Sequence, residues 1–157
     1  MLRQACVWVF WLAALSTHVA HAESIEPGRN FKADGVKAAL RQRPVIVLFS
    51  LPGCHFCDEI RQNYLTPLVR DAAPGQAPII REIVITGVRT LVDFGGARVE
   101  EPSLAKHYGI RVAPTVVMLN SLGEVLVPPL VGGDTVGFYD AYLQRALADA
   151  SHRMGAK

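Results

Sequence analysis

The strongest constraint on this chain is a seven-residue run, Pro44-Val45-Ile46-Val47-Leu48-Phe49-Ser50, that leads straight into Leu51-Pro52-Gly53-Cys54-His55-Phe56-Cys57. Five consecutive apolar residues, rich in β-branched side chains, predict a strand that is apolar on both faces. Such a strand belongs in the middle of a sheet covered on both sides. Pro52-Gly53 ends it. A helical period begins immediately afterwards. Phe56, Ile60, Tyr64 and Leu68 recur at i, i+4, with Leu65 and Val69 beside them. Pro67 falls inside that pattern and predicts a kink or split near Leu65. Two cysteines therefore sit at a corner where a buried strand becomes a helix.

The remaining elements follow the same logic. Glu23 to Asn30 reads as an irregular lead-in around Pro27-Gly28. Phe31 to Arg41 predicts a modest helix with Val36 and Leu40 on its apolar stripe, weakened by Gly35. Ile79 to Ile85 predicts a second strand. Asp93-Phe94-Gly95-Gly96 is turn chemistry between two short extended segments and suggests a small hairpin. Pro102 to Tyr108 predicts a short helix stopped by Gly109. Ala113 to Asn120 and Glu124 to Val127 predict two strands joined by the turn Asn120-Ser121-Leu122-Gly123. Asp134 is the candidate N-cap of a last helix whose inner stripe is Phe138, Tyr142, Ala146 and Ala150, supported by Leu143 and Leu147. The expected fold class is α/β, a central mixed sheet flanked by helices on both faces.

The first segment stands apart. Arg3, the apolar stretch from Cys6 to Ser16 and the small-x-small triplet Ala20-His21-Ala22 read as an export signal cleaved after Ala22. The stretch is short and interrupted for a membrane span. Residues 1–22 are thus the expected signal peptide and 23–157 a single domain. The expected location is the periplasm, an oxidising compartment. The chain is 50% hydrophobic and 19% charged with a net charge of +2, so it is globular. It has no basic cluster, so no nucleic-acid partner is expected.

After cleavage only Cys54 and Cys57 remain, and three roles compete for them. As a structural staple they close a very small loop that constrains the unfolded chain little. As a metal clip they lack partners. His55, His107 and His152 form no spaced ligand set, and a structural zinc site needs four ligands. No metal and no cofactor are therefore expected. The redox role accounts for more. A cysteine at a helix N-terminus faces unsatisfied backbone N–H groups that favour its thiolate, the reactive form. One turn later, Cys57 is placed to resolve a mixed disulfide formed at Cys54. These two are the candidate catalytic residues and redox disulfide.

The segment "VIVLFSLPGCHFC", followed by a helix and later by "YGIRVAPTVVMLN…GEVL", resembles the thioredoxin-like superfamily. It is similar in particular to exported bacterial thioredoxin-related proteins, including those linked to sulfur oxidation and cytochrome c maturation. The resemblance runs from about Phe31 to Ala150. It implies a thioredoxin-like fold and a thiol–disulfide oxidoreductase. It implies that Pro114 follows a cis peptide bond and lies against the disulfide, with Ala113 pairing its backbone with bound substrate. His55 and Phe56 stand where thioredoxins carry Gly-Pro and would tune the pair. Gly53 replaces a Trp. Leu48 stands where those proteins bury an Asp that helps move protons, so no general base is named. The expected partners are protein or peptide thiols and disulfides, with a membrane-bound electron donor keeping a monomeric protein reduced. The alternatives are an oxidant that donates disulfides, helped by His55, and a non-catalytic binding or chaperone module.

Overall fold

The computed structural model describes residues 25–155. The expected signal segment lies outside the described residues. Thirteen elements follow one another: β1 (Glu26–Pro27), α1 (Phe31–Arg41), β2 (Val45–Ser50), α2 (His55–Glu59), a π-helical segment (Ile60–Leu65), α3 (Thr66–Arg70), β3 (Ile79–Val84), β4 (Thr90–Val92), β5 (Arg98–Glu100), α4 (Glu101–His107), β6 (Thr115–Leu119), β7 (Leu130–Val131) and α5 (Tyr139–Gly155). Among the described residues no helix is long and apolar enough to cross a membrane.

Five strands form a mixed sheet in the order β1-β3-β2-β6-β7. β2 runs parallel to β3 and antiparallel to β6. As its sequence predicts, β2 is central and all six of its residues are buried. Its side chains alternate between two cores. Ile46 and Leu48 join Ile60, Leu65, Ile80, Val116, Met118, Leu143 and Ala146 on one face. Val45, Val47 and Phe49 join Phe31, Ala38, Ile83, Leu91, Leu104 and Val117 on the other. Each fully buried aliphatic side chain contributes about 1.5–3 kcal/mol relative to exposure, so β2 anchors both layers at once.

The predicted small hairpin exists as β4 paired with β5. The helix after Cys54 continues but widens into a π-helical segment just before Pro67. Thr66 donates its N–H five residues back to Arg61, and Pro67, which has no N–H, opens the following α-helical turn.

Several expectations are corrected. The lead-in contains β1, which pairs with β3 through Glu26 and Pro27. In α1, Val36 and Leu40 face solvent, and the buried face is Phe31, Asp34, Gly35 and Ala38. Gly35 is the contact point and not a weakness, because a Cβ there would collide with the Ser121 carbonyl. The strand expected at Glu124–Val127 is reduced to a single bridge, Leu119 to Val125. Pro128-Pro129 interrupts the pairing, which resumes at Leu130–Val131. Finally, α5 begins at Tyr139, and Phe138 and Tyr142 are exposed while Tyr139, Leu143, Ala146 and Ala150 are buried. Asp134 is not an N-cap. It organises the preceding loop, accepting the Gly137 and Tyr139 N–H groups and the Tyr64 hydroxyl.

Candidate active site

Cys54 and Cys57 are joined by a disulfide, with their Cα atoms 5.2 Å apart. The pair is asymmetric. Cys57 is fully buried, whereas Cys54 is partly open to solvent. Cys54 caps α2, and its sulfur accepts the Cys57 backbone N–H at 3.2 Å. This N–H is one of the orphan donors of a helix start, and a sulfur carrying negative charge accepts such a bond better than a neutral one. A thiolate formed at Cys54 thus meets a donor already in place.

The sheet register brings the proline loop to the same end of the molecule. Phe49 of β2 faces Thr115 of β6, so Ala113-Pro114 precedes β6 at the edge from which Cys54 emerges. The Ala113–Pro114 bond is cis. The Pro114 carbonyl accepts the Gly132 N–H at 2.8 Å, and the Thr115 hydroxyl donates to the Val112 carbonyl at 2.7 Å. Gly133 then passes over Phe56 so closely that a Cβ would lie 2.6 Å from the ring. The Gly132-Gly133 turn therefore links the proline loop to the cysteine loop. Phe56 and Val112 remain about half exposed. His55 is exposed, its ring centroid 5.8 Å from that of Phe56.

Sequence reading missed one part of this region. Leu48 is fully buried and apolar, but its partner on β3 is Glu82. Glu82 accepts the Ser50 hydroxyl at 2.6 Å and both Nε (2.9 Å) and Nη2 of Arg61, which also pairs with Asp58. These hydrogen bonds to Glu82 hold the Arg61 guanidinium even more firmly charged than usual. The available signal was Arg81-Glu82, two charges inside an otherwise apolar strand. Among the described residues no group of three or more His, Cys, Asp or Glu side chains is placed to hold a metal ion.

A buried sulfur bonded to a more open one at a strand-to-helix corner defines a site for thiol–disulfide exchange. The protein is by class a thiol–disulfide oxidoreductase. The thioredoxin-like domain family matches residues 31–146, and the chain belongs to that family. Solved structures agree on the fold. Spinach chloroplast thioredoxin f in its long form superposes with a TM-score of 0.54 at 20% identity, covering 82% of this chain and 88% of that one. Mitochondrial thioredoxin 3 from Saccharomyces cerevisiae gives 0.52 at 16% identity, covering 80% and 94%. A thioredoxin-fold protein from Helicobacter pylori gives 0.52 at 16% identity, covering 87% of each chain. Among curated proteins none matches the sequence.

Proposed function

We propose that the protein is a periplasmic thioredoxin that reduces or exchanges disulfides in protein and peptide substrates. In the reduced protein the Cys54 thiolate attacks one sulfur of a substrate disulfide, forming a mixed disulfide and releasing the other substrate sulfur as a thiolate. The Cys57 thiolate then attacks the Cys54 sulfur, releases the second substrate thiolate and closes the Cys54–Cys57 disulfide. Two electrons and two protons pass to the substrate. A membrane-bound thiol donor returns them.

The observation that carries this reading is the asymmetry of the pair: only Cys54 is open to an incoming disulfide, and Cys57 is buried within reach of it. Ala113 supports a peptide-like substrate. Among the described residues its N–H and carbonyl bond no other backbone group, so an extended chain can pair with it as an added strand, with Pro114 beneath. Phe56 and Val112, both about half exposed, offer apolar contact. The small hairpin β4–β5, in place of a helical insertion, supports the reductive direction. Export rests on the N-terminal segment alone.

The test is trapping. Cys57→Ser in exported protein should accumulate mixed disulfides through Cys54, recovered after acid quenching and released by dithiothreitol. Trapping through Cys54 in Cys57→Ser but none in Cys54→Ser supports the assignment. Equal trapping by either single variant overturns the division of roles.

A further inference from the structure

Beneath the active-site helix, the Glu82 carboxylate accepts three hydrogen bonds from two groups, Ser50 and Arg61, and Arg61 in turn holds Asp58. Ser50 ends the strand that delivers Cys54. Arg61 follows Cys57 by four residues, about 6 Å along the helix axis. Asp58, adjacent to Cys57, shares the same guanidinium. Glu82 lies on the sheet face that carries Leu48 and Ile80, the face the active-site helix covers. Its side chain is 15% exposed and that of Arg61 is 24% exposed. Two carboxylates on one guanidinium leave the cluster with a net negative charge.

The charged groups that face Glu82 are few. The active-site helix supplies Arg61 and, through it, Asp58. β2 supplies only the Ser50 hydroxyl. β1 places Pro27 beside it, and Arg81, its neighbour on β3, is engaged with Asp34 and Glu26. Among these elements only Arg61 offsets the Glu82 charge; from the loop after β3, Arg89 also feels that charge but is itself paired with the buried Glu101.

We infer that Glu82 and Arg61 are positioning residues that set the redox poise of the cysteine pair: the Glu82 charge disfavours a thiolate at the start of the helix, and Arg61 limits that effect while pinning the helix to the sheet. The inference rests on the exchange reading above. Its consequence is directional. Opening the disulfide creates negative charge on a sulfur roughly one to two helical turns from the cluster. A fixed carboxylate there raises the cost of the dithiol form relative to the disulfide, which makes the reduced protein a stronger reductant. At a separation of about 10 Å and an effective dielectric of about 20–40, one charge moves a thiol by about 0.6–1.2 pK units.

The experiment is a pair of opposite-signed variants read by two methods. Reduced protein is titrated by the ultraviolet absorbance of the Cys54 thiolate, and the dithiol–disulfide ratio is measured in glutathione buffers. Glu82→Gln keeps the shape and the Ser50 contact but removes the charge. It should lower the thiol pKa by about half a unit or more and, at a pH well above that pKa, shift the glutathione equilibrium toward the dithiol about three- to tenfold. Arg61→Gln should shift both quantities the other way. Asp34→Asn, which breaks an ion pair on the opposite face, controls for general loosening and should shift neither. Shifts of the same sign in Glu82→Gln and Arg61→Gln, or none in either, would overturn the inference and leave only a structural tie. A wild-type protein with no measurable equilibrium against glutathione would instead overturn the exchange reading itself.

Discussion

Arg81 and Glu82 are neighbours on β3, yet they serve opposite faces of the sheet. Arg81 reaches Asp34 of α1 through two hydrogen bonds, 2.8 and 2.7 Å, with Glu26 at 3.1 Å as a second partner. Glu82 reaches Arg61 of the active-site helix, with Ser50 and Asp58 completing the set. Each joins a helix to the central sheet by a bidentate guanidinium–carboxylate pair in a partly buried layer. The difference lies in what each helix carries. α1 has no reactive group in its buried face, so its ion pair fixes only register and packing. The active-site helix begins at the disulfide, so the charge beneath it also bears on the chemistry. A buried ion pair is weak evidence of net stabilisation. Its position relative to the sulfurs separates the two.

The largest effect that sharpens this comparison is chemical. Cys54→Ser should bring insulin-disulfide reduction down to the uncatalysed rate while leaving the unfolding of the reduced protein nearly unchanged. Substantial turnover in that variant would place the nucleophile elsewhere. On the opposite face the pattern should invert. Asp34→Ala leaves Arg81 short of its main partner in a buried site and should cost about 3 kcal/mol in urea unfolding, with turnover per folded molecule unchanged. A stability loss below about 1 kcal/mol would mean that Glu26 alone satisfies Arg81.

A smaller effect concerns a third carboxylate on the active-site face. The Tyr64 hydroxyl and the backbone N–H groups of Gly137 and Tyr139 hold the Asp134 carboxyl below its usual range. A depressed folded-state pKa means that this contribution is fully present above the unfolded value of about 3.9 and is lost as pH falls through the folded value. Tyr64→Phe should therefore lower thermal stability slightly at neutral pH, with the difference from wild type vanishing in strong acid. A difference that grows on acidification would contradict this assignment.

Much of the centre was legible in the sequence because it rests on local rules. The continuous apolar run Val45–Phe49 left no polar face and so required a central strand. Pro52-Gly53 and the period that follows fixed the corner and the helix that present Cys54 and Cys57. Pro67 announced the irregularity that the π-helical segment resolves. The failures came where tertiary contact decided between two faces. In α1, Val36 and Leu40 looked like the apolar stripe, but a backbone contact at Gly35 and the Asp34–Arg81 pair turned the other face inward. In α5, Leu143, Ala146 and Ala150 are buried as expected, but Phe138 and Tyr142 are exposed and Tyr139 takes the inward place. Glu82 was invisible for a related reason. Its partners are 21 and 32 residues away in sequence, and no local pattern brings them together.

Whether the Cys54–Cys57 pair works as a reductant is decided by its reduction potential, measured by equilibration with glutathione. Thioredoxins lie at about −270 mV and a strong disulfide donor at about −120 mV. A reducing pair should give a value nearer the first, more negative than the glutathione couple of the buffer, so that the dithiol form donates electrons to most substrate disulfides. A value near the second would contradict that role, and would make the protein a donor of disulfides.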